Sequence, residues 1–376
     1  MVAQSALTDN DEQRELRDAV RKLLKDKAPL EKIRAGADEP DGPRFDRALW
    51  GNLAEMGLLA LAVPEKYDGL GQTMVETSVV FEELGRGLYF GPFLATAGLA
   101  VPALLGSADE AAIADYLPGI ASGETIATVA VTEEDGRFDT ASTATTAEAD
   151  GDGWKLTGTK MVVLDGADAD LLLVTARSGE DVSLFAVAGD ASGLTRTRLE
   201  SLDLARSLAR VELNGTPARL VGQSGAAPAL IAEVLDHALV AVAAEQAGGA
   251  QVCLDMSVEY AKTRKQFDKV IGSYQAVAHK LVDMLQQVEF SKASARYAAA
   301  AIAEGDAEAP VAARVAAAYC GEAFRKVTVE TVQAHGGIGF TWEHDTHLYY
   351  RRAWSSQHLF AGLADHHAAI ADRIGL

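Results

Sequence analysis

Between Thr125 and about Val221 the chain exchanges one hydrophobic period for another, and that break restricts the fold more than any single residue. Short β-branched runs (TIATVAVT, WKLTGTKMVVL, ADLLLVTAR, VSLFAVA, ARVELNG) alternate there with turn residues such as AEADGDG, the pattern of short strands joined by tight turns. On either side apolar residues recur every three or four positions, as in EQRELRDAVRKLL, which places them on one face of a helix. The order helical, β, helical predicts an α+β protein. It divides into a helical N-terminal domain over 1–123, a compact β-barrel or sandwich over 124–223, and a C-terminal helical bundle over 224–376. A chain of 376 residues is long enough to build several cores.

Within the first region, VPEKYDGLGQ (63–72) carries Pro64, Gly69 and Gly71 and is expected to be a loop between helices. In the last, LIAEVLDHALVAVAAEQAGGAQVCLDMSVEYAKTR reads as one helix of many turns, with Gly248 and Gly249 permitting close packing or a bend. Its best uninterrupted apolar run, Ala238 to Ala244, is bounded by His237 and Glu245, so no membrane span is expected. The start, MVAQSALTDNDEQRELRD, lacks the basic and apolar segments of a secretory signal, and a cytoplasmic location is expected. A formal net charge of −20 argues against nucleic acid as a partner, while leaving room for an anionic metabolite at a local basic patch. Cys253 and Cys320 lie far apart without CxxC spacing, which supports neither a disulfide framework nor a thiolate zinc site; Cys253 reads as buried filler.

Two stretches are dense in polar and glycine residues. VQAHGGIGFTWEHDTHLYYRRA (332–353) follows helical periodicity, so its glycines are not the strand-to-helix turn of a dinucleotide fingerprint. Glu343, His344, Asp345 and His347 have no specific ligand spacing, and no metal is assigned; Arg351 and Arg352 are expected to pair with these acids on neighbouring turns. What remains is a helix end at Gln333 and Ala334, turned by Gly336 and Gly337, where backbone amides are reachable by a ligand. Taken alone it is a simple turn. The second stretch, YAKTRKQFDKVIGSYQAVAHKLVDM (260–284), offers Arg264 for a two-pronged phosphate contact, Phe267 for an adenine or flavin ring, and Gln275 as donor and acceptor.

With VPEKYDGLG, FEELGRG, VAVTEEDG, LTGTKMVV, RKQFDKVIGSYQAVAHKLVDM and QAHGGIGF in this order, the chain resembles the acyl-CoA dehydrogenase family of flavoproteins over essentially its whole length. The resemblance implies a helical N-terminal domain, a small middle β-barrel and a C-terminal four-helix bundle. It also implies FAD held between two subunits. Arg264, Gln266 and Phe267 would meet the neighbouring subunit's pyrophosphate and adenosine, Gln275 would add a contact, and Gln333, Gly336 and Gly337 would form the turn that reaches the same dinucleotide. The subunit's own flavin would lie by Val131 and Thr132. There the chain departs from the family: EDGRFD replaces a glycine-serine-aspartate turn, and Val162, Val163 and Leu164 replace tryptophan, isoleucine and threonine.

The activity implied is α,β-desaturation of an acyl-CoA thioester, in which a carboxylate takes the α-proton and hydride leaves for flavin N5. Both family positions for that carboxylate carry alanine, Ala238 and Ala361. Glu245, seven residues beyond Ala238 on the same helical face and otherwise among apolar residues, is the substitute expected; Asp236 and Glu233 are weaker ones. The alternative for Glu245 is a bond to Gln246 or to a bundle partner. Three functions follow: a dehydrogenase passing electrons to electron-transferring flavoprotein, a half-site partner subunit of a hetero-oligomer of the kind that takes steroid side-chain thioesters, and a flavin oxidase or monooxygenase.

Overall fold

The computed structural model describes residues 8–32 and 45–376. Among the described residues, helices lie up to Ala121, strands from Ala127 to Val221, and helices again from Ala227. The helix Asp11–Lys27 opens on a capping box between Asn10 and Gln13, and Met74–Arg86 on one between Thr73 and Glu76. Gln13 Nε2 donates to Glu76 at 2.8 Å, so the two caps also hold each other.

The middle region closes into a barrel rather than a sandwich. β2 (Thr146–Asp150) and β3 (Gly153–Leu164) form a hairpin, and β3 pairs antiparallel with β7 (Leu208–Val221). β7 pairs with β5 (Asp181–Ala188), and β5 with β4 (Leu171–Ser178). Thr146 of β2 meets Arg177 of β4 and completes the ring, which removes the exposed edges that a small open sheet would present. β1 (Ala127–Ala130) lies parallel to β4, and β6 (Leu194–Arg198) lies antiparallel to β7.

Three long helices make the bundle: the first, Ala227–Thr263; the second, Gln275–Ala303; and the third, Ala309–His335. The shorter helices Thr346–Ser356 and Leu363–Ile374 pack against the third. By length and composition the first bundle helix could span a membrane, which its interrupted sequence did not suggest; 72% of its apolar window is buried inside the fold. It is a core helix. Cys253 and Cys320 are buried, and burial pushes both thiols up, Cys320 to about 12.

The first bundle helix crosses Met74–Arg86 with backbone against backbone. A Cβ on Gly85 would lie 2.0 Å from the carbonyl oxygen of Glu245, and one on Gly248 would lie 1.9 Å from that of Glu82. The glycines of FEELGRG and AEQAGGA therefore serve this crossing. Gly249 makes room for the Phe324 ring of the third bundle helix, 2.6 Å from a Cβ placed there. Gly85→Ala should force the helices apart and cost about 3 kcal/mol, read as a lower urea midpoint at unchanged m-value; an unchanged midpoint would contradict the crossing.

Candidate functional site

The first bundle helix stops at Thr263 because Arg264 turns to extended backbone, φ −71° and ψ 126°. A two-stranded hairpin follows, Lys265–Gln266 against Lys269–Val270, with Phe267 and Asp268 as its two-residue turn. Both turn residues are left-handed, φ 52° and 62°. Such turns favour Asn-Gly, so Phe-Asp is strained there, and Phe267 is 88% exposed as well. Tyr274 holds the hairpin down by donating its hydroxyl to the Gln266 carbonyl at 3.0 Å. Arg264, Gln266 and Gln275 are all exposed, and the Arg264 guanidinium has no ion-pair partner among the described residues.

The glycine stretch lies beside this hairpin. The third bundle helix ends at His335, and Gly336 caps it with φ 65° and ψ −140°, beginning a 3-10 turn through Phe340. Tyr260, whose carbonyl accepts from the Arg264 amide at 2.8 Å, stacks on His335 with ring centroids 4.5 Å apart. One stacked pair thus joins the root of the hairpin to the root of the glycine turn. His335 is fixed by its Nδ1 on the Thr331 carbonyl at 2.8 Å, and Thr331 Oγ1 donates to the Cys253 carbonyl. Gly337 has an ordinary φ, and a Cβ on it or on Gly336 would meet nothing within 4 Å. Packing within the chain therefore gives no reason for glycine at 337. A ligand approaching the backbone does, and Gln333, Gly336 and Gly337 are all exposed. The Gly336 amide is spent on the helix end, donating to the carbonyls of Gln333 and Val332. The outer half of an FAD site fits what remains: an unpaired guanidinium, an exposed ring and a glycine at 337 that leaves the backbone approachable.

The barrel side fits poorly. Val131 and Thr132 are buried and their carbonyls are already used, Val131 by the Lys160 ammonium at 3.1 Å and Thr132 by the Met161 amide at 2.8 Å. Lys160 also donates to Glu133 at 2.7 Å and to Thr175 at 3.0 Å; burial pulls its ammonium down to about 8 while Glu133 partly holds it up. β3 bulges beyond Lys160, and Val162 takes a left-handed φ of 55°, unusual for a β-branched residue. Leu164, where the resemblance calls for a hydroxyl, is buried and offers none.

Glu245 is buried but engaged. Its carboxylate accepts from Arg206 Nη2 at 2.6 Å, with Arg352 Nη1 at 3.8 Å. Arg352 pairs with Asp203 and donates to the carbonyls of Ala205 (2.8 Å) and Tyr89 (3.4 Å). This corrects the expectation that Arg352 serves the acids of its own stretch: the helix Thr346–Ser356 turns it inward. Arg351 donates to the Leu202 carbonyl and lies over the Trp342 ring. Asp165 adjoins the cluster; burial pushes its carboxyl up to about 7 against the pull of Arg206. Of the weaker acids, Glu233 is exposed and Asp236 is buried, its carboxyl raised by that burial. Among the described residues no group of three or more His, Cys, Asp or Glu could hold a metal ion. Arg206 and Asp203 escaped the sequence reading, although a lone arginine in LDLARSLA could have been matched to the lone acid of AVAAEQAGG.

Two outcomes follow from this cluster. Glu245→Gln removes the nearer of two acidic partners of the buried Arg206, leaving Asp203 at 3.8 Å, and should cost about 2–3 kcal/mol in chemical denaturation; a loss below about 1 kcal/mol would mean that the pair is immaterial. Asp165 binds its proton more tightly folded than unfolded, where it titrates near 3.8. Its contribution to stability is therefore complete at low pH and lost as pH rises through about 7. Asp165→Asn should remove a decline of up to about 1.4 kcal/mol per pH unit across that window, seen by comparing melting temperatures of the two proteins at several pH values.

Three family models match in chain order: acyl-CoA dehydrogenase N-terminal domain over 10–124, middle domain over 128–213 and C-terminal domain over 229–372. Acyl-CoA dehydrogenase IpdE2 of Mycolicibacterium smegmatis is 34% identical over 93% of this chain and 94% of its own length. A solved structure of the Tcur3481-Tcur3483 steroid ACAD shares 32% identity and a TM-score of 0.83, covering 97% of this chain and 98% of that one. The glutaryl-coenzyme A dehydrogenase complex with glutaryl-CoA shares 26% identity and a TM-score of 0.90 over 98% and 96%. With all three domain models matched in chain order and a relative 34% identical over 93% of its length, the chain belongs to the acyl-CoA dehydrogenase family.

Proposed function

We infer that this chain is a subunit of an FAD-dependent acyl-CoA dehydrogenase assembly and supplies the outer grip on a dinucleotide whose flavin ring sits in a neighbouring, homologous chain. The observation that carries this reading is the strained, exposed hairpin locked beside the open Gly336-Gly337 turn by the Tyr260-His335 stack. When bound, FAD supplies the hydride acceptor for α,β-desaturation of an acyl-CoA thioester. Arg264 pairs with the pyrophosphate, where a planar guanidinium matches two oxygens at once. Gln266 and Phe267 meet the adenosine, Gln275 and Gln333 add amide contacts, and Gly336 and Gly337 let the backbone come close.

Desaturation also needs a carboxylate that is free to take the α-proton. Ala238 and Ala361 provide none, and Glu245 is held by Arg206 at 2.6 Å. Glu245 acting as base would have to leave that pair, giving up the nearest carboxylate of a buried arginine that keeps only Asp203 at 3.8 Å. The neighbouring chain therefore supplies the acid, which favours the half-site partner over a self-sufficient dehydrogenase. The 32% identity to a protein named as a steroid ACAD makes a ring-bearing acyl-CoA the first substrate class to try, with electron-transferring flavoprotein as acceptor.

Arg264→Ala tests the grip. Because Arg264 is exposed, folding should be unaffected. A charge-assisted contact is worth about 1.5–3 kcal/mol, so the FAD dissociation constant of the assembly, isolated through a tag on this chain, should rise about 10- to 100-fold. An unchanged constant would refute the assignment.

A further inference from the structure

Two phenyl rings meet where the barrel faces the end of the bundle. Phe138 stands in the loop of residues 131–145 that leaves β1, seven positions beyond Val131. Phe360 stands in the turn between Thr346–Ser356 and Leu363–Ile374, next to Ala361. Their centroids lie 5.0 Å apart with planes at 73°, the edge-to-face geometry of a core pair, and both rings are buried. This contact joins two domains.

Both rings are presented by anchored backbone. Glu133 ties the first loop together, accepting from the Ala144 amide at 2.8 Å, the Thr145 amide at 3.0 Å and the Thr145 hydroxyl at 2.8 Å while it pairs with Lys160. The second turn is held where the Gly362 amide donates to Asp365 at 2.9 Å. Carbon atoms in contact lie about 3.5–4.0 Å apart, so a planar group slid between two walls needs them about 7 Å apart. Rings already touching edge to face leave no such layer.

We propose that Phe138 and Phe360 form a standing plug that closes this chain's own barrel–bundle cleft to a flavin ring and to an acyl thioester. The proposal rests on the shared-site reading, and it gives the poor fit at Val162 and Leu164 a counterpart: the cleft is sealed from the bundle side as well as unsuited on the barrel side. The assembly then holds its flavin rings only in the clefts of the neighbouring chains.

The plug is tested on the FAD-containing assembly isolated from its source through a tag on this chain. Phe138→Cys with Phe360→Cys removes both rings, opens the site to reagent and places two thiols across the contact, to be bridged with dibromobimane; the wild-type assembly, with Cys253 and Cys320 buried, is the labelling control. A standing plug predicts efficient bridging and full retention of FAD and of turnover with a ring-bearing acyl-CoA. Loss of FAD or turnover on bridging, relative to the same variant before bridging, would overturn it, as would failure to bridge in folded protein. Should the double variant not fold, FAD counted against chains in the wild-type assembly decides: no more than one per two chains is expected, and one per chain overturns the plug. An assembly without any FAD would instead reject the shared-site reading, while bridging would still report whether the rings touch.

Discussion

Everything in this fold is hung on the crossing of two helices at Gly85 and Gly248, where no side chain separates the backbones. Helices normally sit about 8–10 Å apart with side chains interleaved, and closer approach is possible only where glycine removes them. Around the crossing the Met74–Arg86 helix carries Glu82 and Glu83, which bind Arg17 at 2.9 Å each; Arg21 also reaches Glu83 at 2.8 Å. The N-terminal helix is thereby clamped to the same element that fixes the first bundle helix. Glu245 stands at the crossing itself, so its carboxylate is aimed by backbone packing rather than by its own rotamer alone.

From Glu245 the constraint passes to the barrel. Arg206 and Asp203 lie between β6 and β7, Arg352 belongs to the bundle, and Tyr89 lends a carbonyl from the N-terminal domain, so one buried cluster touches all three regions. Buried ion pairs return little net stability, because desolvation nearly offsets their attraction. What such a cluster fixes is geometry, since any slip of one domain would leave a charge unpaired in a dry place. The same helix then runs 19 residues from Glu245 to Arg264, about 28 Å at 1.5 Å per residue. No side chain spans that distance. The ion cluster and the proposed cofactor grip therefore lie far apart along this helix, one setting domain orientation and the other facing outward.

The architecture was readable because it depends on period: a shift from 3.6 to 2 and back again cannot be folded as one layer. The barrel's closure was not readable, since it hangs on a single Thr146-Arg177 pairing between β2 and β4 that leaves no trace in either strand's pattern. At the hairpin and the glycine turn the polar and glycine residues stood out in their local motifs. Their adjacency was not, because it comes from a stack between Tyr260 and His335, residues 75 positions apart in sequence. Glu245 stood out as a lone acid among apolar residues and was read as a base; its partner is Arg206, supplied from the barrel side across a domain boundary. Arg352 misled for the same reason: spacing along a helix names neighbours on that helix and says nothing about a carboxylate 149 residues away. Phe138 was visible only as part of the departure EDGRFD, Phe360 not at all, and their contact belongs to the tertiary structure alone.

The remaining features share one direction. A two-residue hairpin turn with Phe267 and Asp268 both left-handed stores strain, and an almost fully exposed phenyl ring leaves apolar surface in water. Neither is relieved within the described part of this chain. Phe340, 82% exposed, and Trp342 at 59% continue the apolar surface beyond the glycine turn. A chain that kept such a surface for its own cleft would have the cleft open beside it; here the barrel face is apolar and the two domains are locked ring against ring. Outward strain combined with inward closure suits a subunit whose recognition surface is completed by another molecule, and the glycine at 337, which no packing within the chain requires, leaves the backbone there open to close approach.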